Sequence, residues 1–349
     1  MRAIGVDLHK DLIVACFLEE NGSHQTARFR LSADGLATFR ARLRPDDRLA
    51  VEAGRNVWFF VGRVADAVGE AVVVDPRRFA PIADSKKKTD ERDALELARA
   101  LRADSLPTVP IPDERIIRLR QLLAARDTLV KTATQYKNLA HATLVRNGVH
   151  SRRADLASVR GRDRLARLEG LPTSERAILD LALRQLEAVE RELADLERLL
   201  IGAGKDLPGL RRLLQIRGLG LVAAIGILAE IGDITRFPSA RQLAAYAGLV
   251  ASVRQSNRTE HRGRITKEGR KRLRTLLIQA VLVLITGQRR NPLAEFYRLK
   301  KQEKGSGKAL CATARKLLGV IYVLLTKDLD YWFLEERLYQ HKLRALAAA

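Results

Sequence analysis

Cysteine is nearly absent. Cys16 and Cys311 are the two in 349 residues, far apart in sequence. They form no ligand motif and imply no disulfide framework. No stretch reaches 18 uncharged apolar residues; the best candidate, 276–287, is shorter, holds Gln279, and reads as a buried helix. No signal peptide precedes the first strand, so the cytoplasm is the expected compartment. No Gly-x-x-x-x-Gly-Lys loop is present, which argues against nucleotide-driven chemistry. Aromatic residues make up 5% of the chain, and its tryptophans, Trp58 and Trp332, sit in apolar helical stretches where core packing is expected. His9, His141, His150 and His261 are scattered and read as surface or packing residues.

Acid is also in deficit. Lys and Arg number 63 against 41 Asp and Glu, a net charge of +22 with a pI near 10.6. Such a chain has a polyanionic partner, most simply nucleic acid, with a membrane surface as the competing reading. An apolar content of 46% supports real cores and excludes a disordered basic tail.

The few acids are placed with purpose. Asp7 ends the apolar run Ala3–Val6, and Glu52 ends a second run, Leu49–Val51. Asp90 and Asp93 open a predicted helix at i, i+3, on one face. Gathered at one point, carboxylates would repel by about 4 kcal/mol per close pair at an effective dielectric of about 20. A divalent cation removes that objection. Oxygen ligands, with no His or Cys expected nearby, predict Mg²⁺ or Mn²⁺ held by Asp7, Glu52, Asp90 and Asp93.

Strands are predicted over 2–8, 11–19, 26–31, 49–52 and 71–74, with helices over 33–43, 57–68 and 90–101. The order β-β-β-α-β-α-β-α is that of an RNase H-like domain. Pro107, Pro110 and Pro112 mark a linker. Beyond it the pattern is helical. A long helix is predicted over 113–147, followed by a basic segment from Arg152 and Arg153 to Arg167. Leu179, Leu186, Leu193 and Leu200, interleaved with Ala182, Val189 and Leu196, repeat at seven. That pattern fits a coiled-coil seam or a helix packed within its own chain. Ile216–Val222 resembles the turn of a helix-hairpin-helix, whose glycines admit a phosphate. The fold class expected is α/β plus all-α. Residues 1–106 form the RNase H-like unit, 107–205 the helical coiled-coil middle, and 206–349 a mainly helical C-terminal domain.

Between 254 and 274, nine of 21 residues are Arg or Lys against two Glu. This density suits phosphate contact, with Arg254, Arg258, Arg262, Arg264, Lys267, Arg270, Lys271 and Arg274 as candidates alongside Arg152 and Arg153. A hydroxyl among guanidinium groups could attack phosphorus. On the residues alone, Ser256, Ser252, Thr259 and Thr266 are equal rivals.

The chain resembles the DEDD transposases of insertion-sequence family 110, the bridge-RNA-guided, serine-dependent recombinases. The N-terminal signatures are Gly5–Lys10, Val51–Ala53 and Lys88–Ala94. The C-terminal ones are Ile216–Gly220, Ala229–Ile234 with Arg236-Phe237, Leu243–Leu249, and Arg262–Gly269. Their order and spacing cover essentially the whole chain. The resemblance implies a resolvase-like domain carrying the four acids and a coiled-coil middle. It also implies a C-terminal domain whose nucleophile aligns with Ser256, with Ser252 as the fallback. Further implications are a phosphoserine–DNA link, donor and target DNA, a bridge RNA, and dimers pairing into a tetramer. Two motifs depart from the family: Ala53-Gly54-Arg55 follows Glu52, and Asn257-Arg258 follows Ser256 where a glycine is usual. The competing reading is a resolvase-like nuclease that uses water, and beyond it a noncatalytic scaffold.

Overall fold

The computed structural model describes residues 1–79, 89–256, 259–286 and 291–348; the side chains at 153, 253–256, 259–262 and 264 lie outside that description. The chain divides into two compact units, Met1–Asp113 and Glu114–Ala349.

In the N-terminal unit, apolar runs of strand length build one six-stranded sheet in the order β3-β2-β1-β4-β5-β6. Its strands are β1 (Ala3–Leu8), β2 (Leu12–Leu18), β3 (His24–Arg30), β4 (Arg48–Glu52), β5 (Glu70–Val74) and β6 (Thr108–Val109). β1, β2 and β3 pair antiparallel; β1, β4 and β5 pair parallel. α1 (Ala33–Arg40) and α2 (Val57–Val64) put Leu36, Phe39, Phe60 and Val64 into the core on one face. α3 (Asp90–Arg102) covers the other with Leu97, Leu101 and Ala94. The two-residue β6 lies between the prolines read as linker and pairs antiparallel with β5.

The C-terminal unit is mostly helical. α4 (Glu114–Arg146) and α7 (Thr173–Gly204) run alongside each other, tied by Arg126–Glu197, Lys137–Glu190 and Arg146–Glu175 ion pairs of 2.6, 3.1 and 2.9 Å. Sequence positions rising on one helix fall on the other, so the pair is antiparallel. Of the heptad positions, Leu179, Ala182, Leu186 and Leu200 are buried, whereas Val189, Leu193 and Leu196 are half-buried. Short helices α5 (Arg153–Ala157) and α6 (Val159–Ala166) close the far end of the pair with Leu156 and Leu165.

Then follow α8 (Leu210–Gln215), α9 (Leu221–Ile231), α10 (Ala240–Tyr246), a two-stranded ribbon of β7 (Ala251–Ser256) and β8 (Thr259–Ile265), α11 (Lys271–Thr286), α12 (Pro292–Lys304), α13 (Ser306–Thr326) and α14 (Glu336–Ala347). Among the described residues, α13 is the one helix long and apolar enough to cross a membrane. It buries Ala314, Leu317, Leu318, Ile321 and Leu324 in this unit's core. Two sequence expectations are corrected here. The ribbon was not foreseen, and Trp332 is not a core residue: it is 65% exposed, against the buried Tyr331.

Candidate functional site

Asp7 and Asp90 are brought together, on either side of His9, by strand register and one glycine, whereas Glu52 and Asp93 are not part of that close group. β1 and β4 are parallel neighbours, with Val6 opposite Val51, so Asp7 and Glu52 are the next residues on adjacent strands. Side chains alternate along a strand, which puts Asp7 on the same face as Gly5. A Cβ on Gly5 would overlap the Ala94 carbonyl and crowd Ala98, so α3 crosses β1 there in near backbone contact. One turn before Ala94 is Asp90, and two residues beyond Gly5 is Asp7. The helix start is thereby brought over the ends of the strands.

Thr89 caps that start; its hydroxyl accepts from the Arg92 N–H, leaving Asp90 available. Asp90, Glu91 and Asp93 occupy the first turn, where the helix dipole favours negative charge. Asp93 is buried, while Asp7 and Asp90 are partly open.

Sequence reasoning placed no imidazole here, and the structure corrects that. His9 Nε2 lies 3.3 Å from Asp7 Oδ2 and 3.2 Å from Asp90 Oδ2. Its turn is fixed by its own N–H, which donates to Leu12 O at 2.9 Å, and by Asn56 Nδ2, which reaches the carbonyls of His9 and Lys10. A histidine just past a strand carries no special sequence signal, so only the fold reveals it. Asp7, His9 and Asp90 offer ligand atoms within 4.8 Å of one another. Adjacent ligands on an octahedral ion at about 2.1 Å stand about 3.0 Å apart, so this donor set fits a divalent cation.

The second candidate region is the ribbon. Ser256 ends β7 opposite Thr259; the Ser256 side chain lies outside the described residues, as do those of Arg254, Arg262 and Arg264 and the whole of Arg258. Ser252 sits at the bulge between Ala251 and Val253, its hydroxyl where a Cβ on Gly263 would fall. After the ribbon, Lys267 takes a left-handed conformation (φ 56°) and is exposed, as is Lys271. Arg270 and Arg274 are half-buried; Arg270 Nε donates to the Tyr246 hydroxyl and Arg274 to the Ala247 carbonyl, each at 2.8 Å. Arg152 is exposed at the start of α5, and the Arg153 side chain is not described.

α8 and α9 flank the glycine turn predicted from sequence. Gly218 (φ 90°) faces the Ala280 carbonyl, 2.7 Å from where its Cβ would be, so that glycine serves packing on α11. Gly220, at the start of α9, faces open space.

Residues 4–147 match the DEDD transposase family of IS110, and residues 210–298 match the transposase IS116/IS110/IS902 family; together they span more than half of the chain. The protein y4qE of Sinorhizobium fredii, itself named a transposase, is 32% identical over 231 residues, 65% of this chain and 56% of that protein. The IS1111A transposase of Coxiella burnetii is 26% identical over 343 residues, covering 95% of this chain and 91% of its own length. The pilin gene-inverting protein of Moraxella bovis is 26% identical over 339 residues, with 93% and 96% covered. The protein is thus an insertion-sequence transposase, a DNA recombinase by class. The chain belongs to the IS110-type transposases, by the DEDD model over its N-terminal part and the IS116/IS110/IS902 model over its C-terminal part.

Proposed function

We propose that this transposase cuts and exchanges DNA strands through a covalent serine–DNA link, with its four acids holding Mg²⁺ or Mn²⁺ at the scissile phosphate. The observation that carries the reading is the gathering of Asp7, Asp90 and His9 at the end of β1, with Glu52 on the next strand. The sheet, three antiparallel strands continued by two parallel ones, supports an RNase H-like, resolvase-like unit. A bound cation polarises the phosphoryl oxygen and offsets charge building on it.

In this reading Ser256 Oγ gives up its proton and attacks phosphorus. The P–O bond to one DNA strand breaks, and the departing hydroxyl takes up a proton. A hydroxyl of the partner strand then displaces Ser256 from the phosphoserine, restoring a phosphodiester without ATP. Donor and target DNA are the substrates, and a bridge RNA selects them by base pairing in the cytoplasm. Copies of the chain assemble as a dimer, then a tetramer, through the half-buried part of the α7 heptads. The net charge of +22 supports binding of both polyanions.

The test is denaturing electrophoresis of protein incubated with element DNA, target DNA, flanking-element RNA and Mg²⁺. A protein–DNA adduct lost in Ser256→Ala and kept in Ser252→Ala is expected, with Asp7→Ala abolishing all cleavage. Cleaved DNA without any adduct would overturn the serine step and leave a water-using nuclease.

A further inference from the structure

The C-terminal end of α9 carries more positive charge than capping a helix requires. The chain closes that helix itself: Gly232 turns left-handed (φ 65°) and its N–H donates to Leu228 O at 2.8 Å. Three guanidinium groups nevertheless converge on the same end from three elements. Arg120 of α4 donates Nε to Ala229 O (2.8 Å) and a terminal nitrogen to Glu230 O (3.3 Å). Arg236 donates Nε and a terminal nitrogen to Ile231 O, at 3.3 and 3.0 Å. Arg270, preceding α11, donates Nε to the Tyr246 hydroxyl, which in turn donates to Glu230 O at 3.1 Å. One carbonyl oxygen therefore joins Arg120, Tyr246 and Arg270, while Arg236 lies over the Tyr246 ring at 4.5 Å.

The charges do not balance locally. Glu230, 2% exposed, is the buried carboxylate here, and its short bond goes to Arg272 at 2.8 Å; Arg270 stands 3.8 Å away. Arg272 also bonds Asp127. Arg120, Arg236, Arg270 and Arg272 thus face Glu230 and Asp127, with Asp233 also acting on Arg236, a surplus of one positive charge. Burial lowers the Arg120 guanidinium below its ordinary range, and the charges of Arg270 and Arg236 lower it further. Capping uses one edge of each guanidinium. Among the described residues, one terminal nitrogen each of Arg120 and Arg236, and both of Arg270, meet no protein acceptor. Three guanidinium groups gathered at one helix end, each with terminal N–H donors left over, supply the kind of donor that the oxygens of a phosphate accept.

We propose that Arg120, Arg236 and Arg270 form a binding site for one backbone phosphate of a nucleic acid. The site is joined to the ribbon bearing Ser256: the Arg270 N–H donates to Tyr246 O and the Thr266 N–H to Val250 O, both at 2.9 Å. A phosphate seated there fixes the register of the polymer against β7 and β8. The proposal rests on the nucleic-acid partner alone, not on the serine step, and Ser256→Ala leaves it intact.

The experiment measures binding of the full chain to a DNA duplex and, separately, to a structured RNA across a salt series. Arg236→Gln and Arg270→Gln are each expected to weaken binding and to reduce the slope of log K against log salt by about one. The polymer whose slope falls is the one seated. Folded variants, judged by unaltered circular dichroism and melting, that keep the wild-type slope with both polymers overturn the site. The unmodified chain gives a second reading that no folding defect can confuse. DNA or RNA should shield Arg120, Arg236 and Arg270 from an arginine-specific dicarbonyl reagent, read by peptide mass spectrometry, and unshielded arginines overturn the proposal.

Discussion

The two units hold their charged groups in opposite ways. The N-terminal unit places carboxylates by strand register and backbone contact, and pairs its most buried charge. Arg2 donates to both oxygens of Asp47 at 2.9 and 2.7 Å, with Asp47 fully buried. The C-terminal unit instead packs cations against helix ends. Lys342 Nζ donates to Leu214 O and Ile216 O at the end of α8, at 2.7 and 2.9 Å, and the arginines at α9 do the same. Carbonyl dipoles satisfy hydrogen bonds without cancelling a full charge. The first arrangement is closed, while the second retains net charge that an outside anion can meet.

The largest expected effect comes from opening the closed pair. Asp47→Ala leaves the Arg2 guanidinium buried with its main partner gone, and removes the acceptor of the Arg44 N–H. A loss of about 3–5 kcal/mol in the N-terminal unit is expected. The tryptophans make this measurable by unit, because Trp58 is in α2 and Trp332 lies beyond α13. In a Trp332→Phe background, an unchanged urea midpoint for Trp58 fluorescence would contradict the comparison.

Next is the glycine contrast. Gly5→Ala drives a Cβ into the Ala94 carbonyl, which is fixed in a helix, so α3 must lift and carry Asp90 and Asp93 with it. A cost of about 1–3 kcal/mol or more is expected, together with lost Mn²⁺ binding by calorimetry. Gly263→Ala meets the Ser252 hydroxyl, the end of a side chain that can rotate, and should cost far less. Equal costs at the two glycines would show that backbone contact is not what positions the acids.

These contrasts also explain what the sequence revealed. Asp7 and Glu52 were legible because each ends an apolar run of strand length, and Asp90 and Asp93 because helical spacing is regular. The β7–β8 ribbon was not, since its two sequences, Ala251–Ser256 and Thr259–Ile265, are mostly polar and show no clear apolar alternation. Thr108–Val109 was hidden among prolines, being two residues long. The α7 heptads were legible as a seam but could not say which helix fills it; α4 of the same chain buries both ends. His9 was missed because no pattern distinguishes a turn histidine from one aimed at two acids.

Lys342 gives the pH test. Burial lowers its pKa to about 8 from 10.5, partly opposed by Glu335. Below pH 8 the amine is charged in both folded and unfolded chains, and the full burial penalty applies. Between pH 8 and 10.5 the folded state releases its proton first, so stability rises with pH. The neutral amine still has two N–H groups for its two carbonyls. Relative to Lys342→Met, the C-terminal unit should gain on the order of 2 kcal/mol across that window. Trp332 fluorescence in a Trp58→Phe background reads it, and a difference that is flat or falling with pH would refute the assignment.

The smallest effect separates two roles for His9. Its nitrogen either joins the acids in holding a cation or simply bridges the carboxylates when none is bound. An imidazole ligand suits Mn²⁺ better than Mg²⁺, whose preferred donors are oxygen. If His9 is a ligand, His9→Ala should weaken Mn²⁺ binding about tenfold and Mg²⁺ binding less, narrowing the preference between them. If it only bridges, removing it takes away a competitor for Asp7 and Asp90, and both ions bind as well or better. Calorimetry with each ion on the full chain distinguishes the two. Nitrogen coupling to bound Mn²⁺ in pulsed paramagnetic resonance, present in the wild type and gone in His9→Ala, would fix the imidazole as a donor.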